Sequence, residues 1–424
     1  MDSFTLEALG VQSLVLLLVG FACFKYFIDE GRSKTLTYVF VYTFLVKICV
    51  SVILIKFIIS NHGDSLISKD TEKFAMLANG LVEHGFFEVS RYISAGFEHI
   101  HYYYALVFKL VGQSTVYVCV TWIFVSSILA ILIHKIARYT HSARVAFLAS
   151  VSVLVYPSFF VLSVVPHRSV LSSLFLGILI LSVLVIKTRT KRYILFAIGM
   201  SGLLTVRPEM TFVFFLSLAF WRFIIRDKNT YLSIWWEGIV YAFLFLVVAY
   251  LMFDIEYLMR LATFEKTLGR VDAIRERTSA SGGIHDFVVH QNVLVRTVLG
   301  SAFLLVKPFP PTSTLQELDF SFLMTPSSII FIFILPYIVV GGWESFRKKT
   351  DSVFLVILIL STILIASASI GATTERYRVQ VSPFALILFS AGYYSNIKTG
   401  HFLAIYYALV LIGVILYVLI KLSI

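Results

Sequence analysis

One carboxylate of this chain, that of Asp70, follows an apolar run and has the chemistry to act on a hydroxyl group. Asp70 stands near the start of the stretch 69–85, in which apolar residues recur at helical spacing, namely Phe74, Leu77, Ala78 and Leu81. This spacing predicts an amphipathic helix that lies on a membrane surface, with Asp70 at its N-terminal end. A carboxylate held there can accept the proton of a hydroxyl group. Asp64, which is closer to the end of the apolar run, is the alternative base.

Arginines occur in three short loops that the topology given below places on the outer side of a membrane. The loops read His167-Arg168, Arg207-Pro208-Glu209 and Glu375-Arg376-Tyr377-Arg378. Short outer loops normally lack Lys and Arg. Because guanidinium groups match phosphate oxygens with paired hydrogen bonds, the four arginines predict a site for an anionic lipid carrier. In an extended turn, Arg376 and Arg378 can close on one phosphate. For any one arginine taken alone, anchoring to lipid headgroups is the alternative.

The elements that must position these residues are membrane helices. Hydrophobic residues make up 59% of the 424 residues, charged residues 14%, and the mean hydropathy is +0.90, which excludes a soluble protein. Runs long enough to cross a bilayer, which takes roughly 20 residues, number about 12. They lie near 8–28, 36–60, 114–134, 145–165, 169–187, 193–206, 210–226, 232–253, 320–342, 353–371, 379–395 and 402–421. The fold class is therefore an all-α polytopic membrane protein, with residues 1–424 forming a single transmembrane domain.

Basic loops set the topology. One set of loops carries clustered Lys and Arg, which marks it as cytoplasmic, and it comprises Arg32/Lys34, Lys135/Arg138/Arg144, Lys187/Arg189/Lys191/Arg192, Arg222/Arg226/Lys228 and Arg347/Lys348/Lys349. The formal charge of +11 is explained by these loops, so a nucleic-acid partner is not expected. The first run lacks a basic leader, so we expect a retained span with both chain termini outside.

Two further apolar stretches, 102–112 and 290–307, fit this alternation only if neither crosses the membrane. The first is too short to span, and the second contains Arg296 and ends at Lys307, so we expect interfacial or re-entrant helices. A thirteenth span at 290–307 is the alternative. Two long outer loops follow from this topology, at about 61–101 and 254–290.

Other polar residues lie near the predicted site and are able to assist the reaction, although a polar loop residue is more often simply solvated. They are Glu72, His99, His101, His167, Glu209 and Glu375. No Asp, Glu and His cluster has the spacing of metal ligands, and the three cysteines lie inside apolar runs, so we expect no metal and no other cofactor.

The stretch from Asp70 to Gly85 resembles the first outer loop of the GT-C membrane glycosyltransferases, the superfamily of protein O-mannosyltransferases and lipid A aminoarabinose transferases. Three later motifs resemble those of GT-C-type proteins from bacterial surface-polysaccharide pathways. They are Tyr156-Pro157-Ser158 with Ser163 and His167-Arg168-Ser169, then Gly202 to Glu209, then Glu375 to Arg378 with Pro383. The resemblance covers roughly residues 36–395. It departs at Phe74, where Tyr is usual, and at His99-Ile100-His101-Tyr102, which replaces a common Pro-Pro and leaves the subfamily open.

The resemblance implies a GT-C-like fold with Asp70 as the catalytic carboxylate and an inverting transfer. The donor would be a sugar or oligosaccharide on a polyprenyl phosphate or diphosphate, bound at the outer, periplasmic face of a bacterial inner membrane, and the acceptor a glycan. An O-antigen-type repeat-unit polymerase is included in this expectation. A lipid-linked sugar flippase or transporter is the alternative, and it predicts charges in both halves of the membrane. A structural subunit would not explain the clustered arginines.

Overall fold

A computed structural model of the chain describes residues 3–27, 30–62, 69–84, 100–224, 291–306, 320–370, 376–395 and 400–423. Within these ranges the secondary structure is helical, without strands. The helices are α1 Ser3–Phe27, α2 Glu30–His62, α3 Lys69–His84, α4 His101–Leu110, α5 Thr115–Thr140, α6 Ala143–Val155, α7 Pro157–Val164, α8 Arg168–Ile180, α9 Arg189–Val206, α10 Pro208–Ile224, α11 Val293–Val306, α12 Phe320–Lys348, α13 Val353–Ile370, α14 Arg376–Tyr393 and α15 Gly400–Ser423. A π-helical turn, Leu181–Val185, extends α8.

The all-helical, polytopic membrane architecture is confirmed. Among the described residues, five helices are long and apolar enough to cross a bilayer, and a bent pair of helices makes a sixth. The five are Leu9–Tyr26, Lys34–Ile53, Thr115–Thr140, Arg168–Val185 and Pro326–Lys348. The full count of about 12 spans stays a prediction, since one expected span, 232–253, lies outside the described residues.

The bent pair is α6 and α7, which the sequence predicts as one continuous span. Their axes differ by 46° because Pro157 follows Tyr156. A residue before proline avoids the helical region, and Tyr156 is accordingly extended (φ −63°, ψ 123°). Pro157 then occupies the first turn of α7, where its missing N–H costs nothing. The break brings the end of α7 close to the start of α8.

Helix α5 is the centre of the bundle and touches α1, α2, α4, α6, α7, α8 and α14. Its N-terminus is capped by Ser114, whose side chain accepts a hydrogen bond from the backbone N–H of Val116. The buried side chains of α5 include Trp122, Ser126 and His134. Polar residues therefore occur inside the bundle, where Trp122 donates to the His167 carbonyl and Ser126 to the Ile123 carbonyl.

The amphipathic helix predicted around Asp70 is present as α3. Its apolar face, formed by Phe74, Ala78 and Leu81, is buried. That face packs on α4 of the same chain, with the rings of Phe74 and Tyr104 6.2 Å apart. The helix and its apolar face are thus confirmed, but the apolar face contacts protein where the sequence interpretation placed it on lipid.

The two stretches expected not to cross the membrane form short helices. Helix α4 has 10 residues and α11 has 14, which correspond to lengths of about 15 and 21 Å, less than the roughly 30 Å of a bilayer core. Helix α11 lies against α13, and Ser301 donates to Ser367 over 3.1 Å. Their interfacial or re-entrant placement stays a prediction that these lengths favour.

Candidate active site

Three helices that carry arginines begin at the same end of the bundle. The α8 residue Ser173 donates to the carbonyl of Gln380 in α14 over 2.9 Å, so these two helices lie side by side with adjacent N-termini. The guanidinium of Arg207, which precedes α10, lies 5.4 Å above the ring of Tyr377 in α14. We call this region, defined by Arg168, Arg207, Arg376 and Arg378, the arginine end. The structure thus brings together three loops that are far apart in sequence.

The electrostatics of the arginine end favour an anion. A helix N-terminus has the positive end of the helix dipole, and cations are stabilised at the opposite end. Arg168 is the first residue of α8, Arg207 directly precedes α10, and Arg376 opens α14. The helix dipoles and the arginines therefore add to one positive potential, which suits a phosphate.

Arg207 is buried and paired with an acidic residue. Its side chain is 6% exposed, and its Nη1 donates to Oε1 of Glu209 over 2.8 Å, whereas Glu209 is 42% exposed. The guanidinium carbon of Arg207 lies within cation–π distance of the Tyr377 ring. Glu209, expected to assist, therefore acts on Arg207 directly, as a carboxylate that occupies part of its donor fork.

His167 holds the start of α8. Its Nδ1 accepts a hydrogen bond from the backbone N–H of Ser169 over 3.2 Å, and its carbonyl accepts one from Nε1 of Trp122 over 3.0 Å. An imidazole that accepts at Nδ1 carries its proton on Nε2. The buried His167 is thus an N-cap residue that places the half-buried Arg168. Its assisting role in chemistry stays a prediction.

Arg378 is placed differently from the prediction. It is 1% exposed and donates from Nη2 to Oγ of Ser328 over 2.7 Å, with its guanidinium 5.1 Å from the ring centre of Phe331. Residues 376–378 belong to α14 and not to an extended turn, and residues two apart on a helix point in different directions. The idea that Arg376 and Arg378 close on one phosphate from an extended turn is therefore wrong for this structure. Arg378 instead joins α14 to α12.

Polar contacts connect α4 to the arginine end. Tyr103 forms a hydrogen bond with Thr205, the residue two before Arg207, with 2.8 Å between their hydroxyl oxygens. Burial raises the pKa of Tyr103, so its hydroxyl stays protonated at neutral pH. Tyr104 donates to the carbonyl of Pro166 over 3.1 Å. His101, expected to assist, is fully buried at the start of α4.

Helix α3, which contains Asp70, packs on α4 next to this region. Asp70 lies one helical turn, about 6 Å along the axis, before Phe74, whose ring packs on Tyr104. The side chains of Asp70, Glu72 and Arg376 lie outside the described part of the structure, as do residues Asp64, His99 and Glu375 altogether. The choice between Asp70 and Asp64 as the base therefore stays a prediction.

Lys47 is a buried charged residue that the sequence analysis did not single out. It is 1% exposed, donates from Nζ to Oγ of Ser126 over 3.1 Å, and lies 5.7 Å from the ring centre of Phe160. One turn further along α2, Ser51 donates to the carbonyl of Val164, near the start of α8. A lysine near the middle of the apolar run 36–60 was the signal in the sequence, because ionisable groups at membrane depth usually have a functional partner.

No group of three or more His, Cys, Asp or Glu side chains with metal-site geometry occurs among the described residues. Because the side chains of Asp70 and Glu72 are not among them, the expectation of no metal stays a prediction.

No protein-family model matches the chain, and no curated protein matches its sequence. Among solved structures, it is similar to an archaeal oligosaccharyltransferase, AglB from Archaeoglobus fulgidus, determined with an inhibitory peptide and a dolichol-phosphate. The TM-score is 0.43 at 13% identity, over 83% of this chain and 50% of that chain. This chain therefore spans about half the length of that protein, and at this TM-score the likeness carries no argument about activity.

Proposed function

We propose that this protein is a membrane glycosyltransferase that takes a sugar or oligosaccharide from a polyprenyl phosphate or diphosphate at the arginine end. The observation that carries the proposal is the meeting of three arginine-bearing helix N-termini at one end of a membrane bundle. A phosphate on a lipid carrier is the anion that reaches such a place from within the bilayer. In this proposal the arginine end faces the periplasm of a bacterial inner membrane.

In this proposal different residues of the chain bind the phosphate and accept the proton. Arg168, Arg207 and Arg376 would bind the phosphate and stabilise the charge that develops on it as the glycosidic bond breaks. Asp70 would accept the proton of the attacking hydroxyl, and transfer would invert the anomeric centre. Arg378 would fix the start of α14 through Ser328. The product class we propose is a cell-surface polysaccharide, including O-antigen-type repeat-unit polymerisation.

A lipid-linked sugar flippase is the second candidate, and Lys47 is the observation in its favour. A transporter needs charges along a path through the membrane, and Lys47 lies within a spanning helix. Its side chain is enclosed by α2, α5 and α7, however, and donates to Ser126, which is the environment of a residue fixed in place. We therefore rank the transferase first.

Binding of the carrier alone tests the proposed site without knowledge of the sugar. The probe is polyprenyl phosphate added to the purified full chain in detergent, with bound lipid counted by native mass spectrometry. We expect saturable binding that Arg207→Lys weakens by roughly 10-fold or more, because lysine lacks the planar fork and a charge-assisted contact contributes about 1.5–3 kcal/mol.

Arg189→Lys is the matched control, because Arg189 begins α9 and Arg207 directly follows the last residue of that helix. Binding by Arg189→Lys should equal that of the unchanged protein. Equal affinities for the unchanged protein, Arg207→Lys and Arg189→Lys would contradict the proposal that the carrier binds at the arginine end. The absence of saturable binding would contradict it as well.

A further inference from the structure

The opposite end of the bundle contains a polar pocket that the proposed transfer does not use. Helix α5 ends there, α6 begins there, and α12 and α14 end there. We call it the basic-loop pocket. Its volume is about 280 Å³, and its lining includes Thr140, His141, Ser142, Glu344, Lys348 and Thr350.

The wall of the pocket is rich in groups that bind phosphate esters and hydroxyls. Ser142 caps α6 by accepting from the backbone N–H of Val145, so the positive end of that 13-residue helix lies at the pocket. Lys348 is 56% exposed and paired with Glu344, and it adds an ammonium group at the rim. The hydroxyls of Thr140, Ser142 and Thr350 add donors and acceptors.

His141 supplies a buried polar atom at the pocket that a ligand could satisfy. Its Nε2 is buried and has no hydrogen-bond partner among the described residues. A buried polar atom without a partner is costly, and a ligand hydroxyl or phosphate oxygen would satisfy it. Burial lowers the pKa of His141 to about 4, so the ring is neutral at pH 7 and offers one donor and one acceptor.

The loops around the pocket carry an excess of two positive charges, with His141 neutral. Four basic residues stand against two acidic ones, and they are Arg144, Arg347, Lys348 and Lys349 against Glu344 and Asp351. The α12 helix ends in a turn closed by hydrogen bonds from Lys349 N–H to the Phe346 carbonyl and from Thr350 N–H to the Ser345 carbonyl. Lys349 has the left-handed φ of 49° that glycine usually supplies, and the turn places Thr350 in the pocket wall.

Exposed aromatic residues indicate the depth of the pocket. Trp343 is 67% exposed, Tyr393 55%, and Tyr139 and Tyr394 44% each, and Tyr394 itself lines the pocket. Exposed Trp and Tyr at helix ends mark the headgroup layer of a bilayer. Basic pockets between membrane helices bind anionic lipid headgroups.

We propose that the basic-loop pocket binds the headgroup of an anionic glycerophospholipid, a phosphodiester with free hydroxyls such as that of phosphatidylglycerol. The phosphate would contact Lys348 and the start of α6, and the hydroxyls would contact His141 and Glu344. The aromatic residues around the pocket favour a lipid over a soluble phosphate ester as the source of this headgroup. The proposal does not depend on the transferase activity.

The test is the thermal unfolding of the full chain in a neutral detergent with three probes, phosphatidylglycerol, phosphatidylcholine and glycerol 3-phosphate. A ligand of the native state raises the melting temperature according to its concentration and affinity. We expect a saturable rise with phosphatidylglycerol that is absent with the other two. Lys348→Gln should weaken the apparent affinity about 10-fold, as expected for loss of a charge-assisted contact.

Lys187→Gln is the matched control, since Lys187 is exposed in a loop at the same end but does not line the pocket. It should respond to phosphatidylglycerol like the unchanged protein. Equal losses in Lys348→Gln and Lys187→Gln would mean unspecific attraction, and an equal response to phosphatidylcholine would mean general solvation by lipid. Either result would overturn the proposal. A saturable response to glycerol 3-phosphate alone would overturn the assignment to a lipid.

Discussion

Two neighbouring glycines in α12 should respond in opposite ways to the same substitution. An alanine Cβ at Gly341 would run into the carbonyl oxygen of Leu388 in α14 and lie 2.9 Å from its carbonyl carbon and 3.0 Å from the backbone nitrogen of Gly392. At Gly342 the same Cβ would meet the two side-chain methyls of Val356, at 3.4 and 3.7 Å, which are ordinary contacts. The first substitution presses on backbone, and the second does not.

The cost at Gly341 can be worked from these distances. Ordinary contacts begin at 3.4 Å, so α12 and α14 must separate by about 0.5 Å or more. Overpacking of this kind costs about 1–3 kcal/mol, and the upper value applies because backbone cannot rotate away. At Gly342, alanine should be neutral or stabilising by up to about 1 kcal/mol through its helix propensity.

The assay is thermal unfolding of both purified variants in the same detergent, alongside the unchanged protein. We expect Gly341→Ala to melt at a clearly lower temperature and Gly342→Ala to melt at or above the original temperature. Gly392→Ala should behave like Gly341→Ala, because its Cβ would meet the backbone of Tyr337. Equal melting temperatures for Gly341→Ala and Gly342→Ala would refute the close backbone contact of α12 and α14.

Three further predictions concern charge and topology. Glu209→Gln should tighten polyprenyl phosphate binding by up to about fivefold, because it frees Arg207 from an ion pair with one exposed partner, and weaker binding would make Glu209 a supporting group instead. Because the folded-state pKa of His141 is lowered from 6.5 to about 4, stability should fall as pH drops between those values. His141→Gln should lose that part of the pH dependence in melting experiments, and an unchanged profile would exclude His141 as its source. In a cysteine-free background, Thr188→Cys and Lys348→Cys should be labelled from the same side of the membrane and Ala280→Cys from the other, and labelling of all three from one side would show that the assumed crossings are wrong.

The sequence predicts the helices well because their signal is local. Helices α3, α5 and α8 begin within one or two residues of the predicted positions. The polar residues at these helix starts and the spacing of the apolar residues that follow are both visible in the sequence. The bend between α6 and α7 was missed although Pro157 was visible, because an unbroken apolar run outweighed it. The length of an apolar run shows whether a segment can cross the bilayer, but it does not show whether the segment is straight or bent.

The sequence predicted which arginine-bearing loops lie close together, but not how their side chains are placed. The grouping of Arg168, Arg207 and the start of α14 followed from the alternation of the loops. The burial of Arg378 depended on how far α14 extends toward its N-terminus, and the partner of Lys47 depended on the packing of α2 against α5. Both depend on tertiary packing between helices, which the sequence pattern of a single segment does not reveal.

Turnover of a lipid-linked donor tests the central claim most directly. The measurement is the release of polyprenyl phosphate from a defined polyprenyl-phosphate-linked sugar by the purified protein with an alcohol or glycan acceptor, compared with Asp70→Asn at matched amounts. We predict release by the unchanged protein and a loss of about 100-fold or more in Asp70→Asn with donor binding retained, since the substitution keeps the shape and removes the base. Loss in Asp64→Asn instead would move the base to Asp64. Saturable donor binding without release by any of these proteins, whichever acceptor is offered, would contradict the account and favour a carrier or flippase.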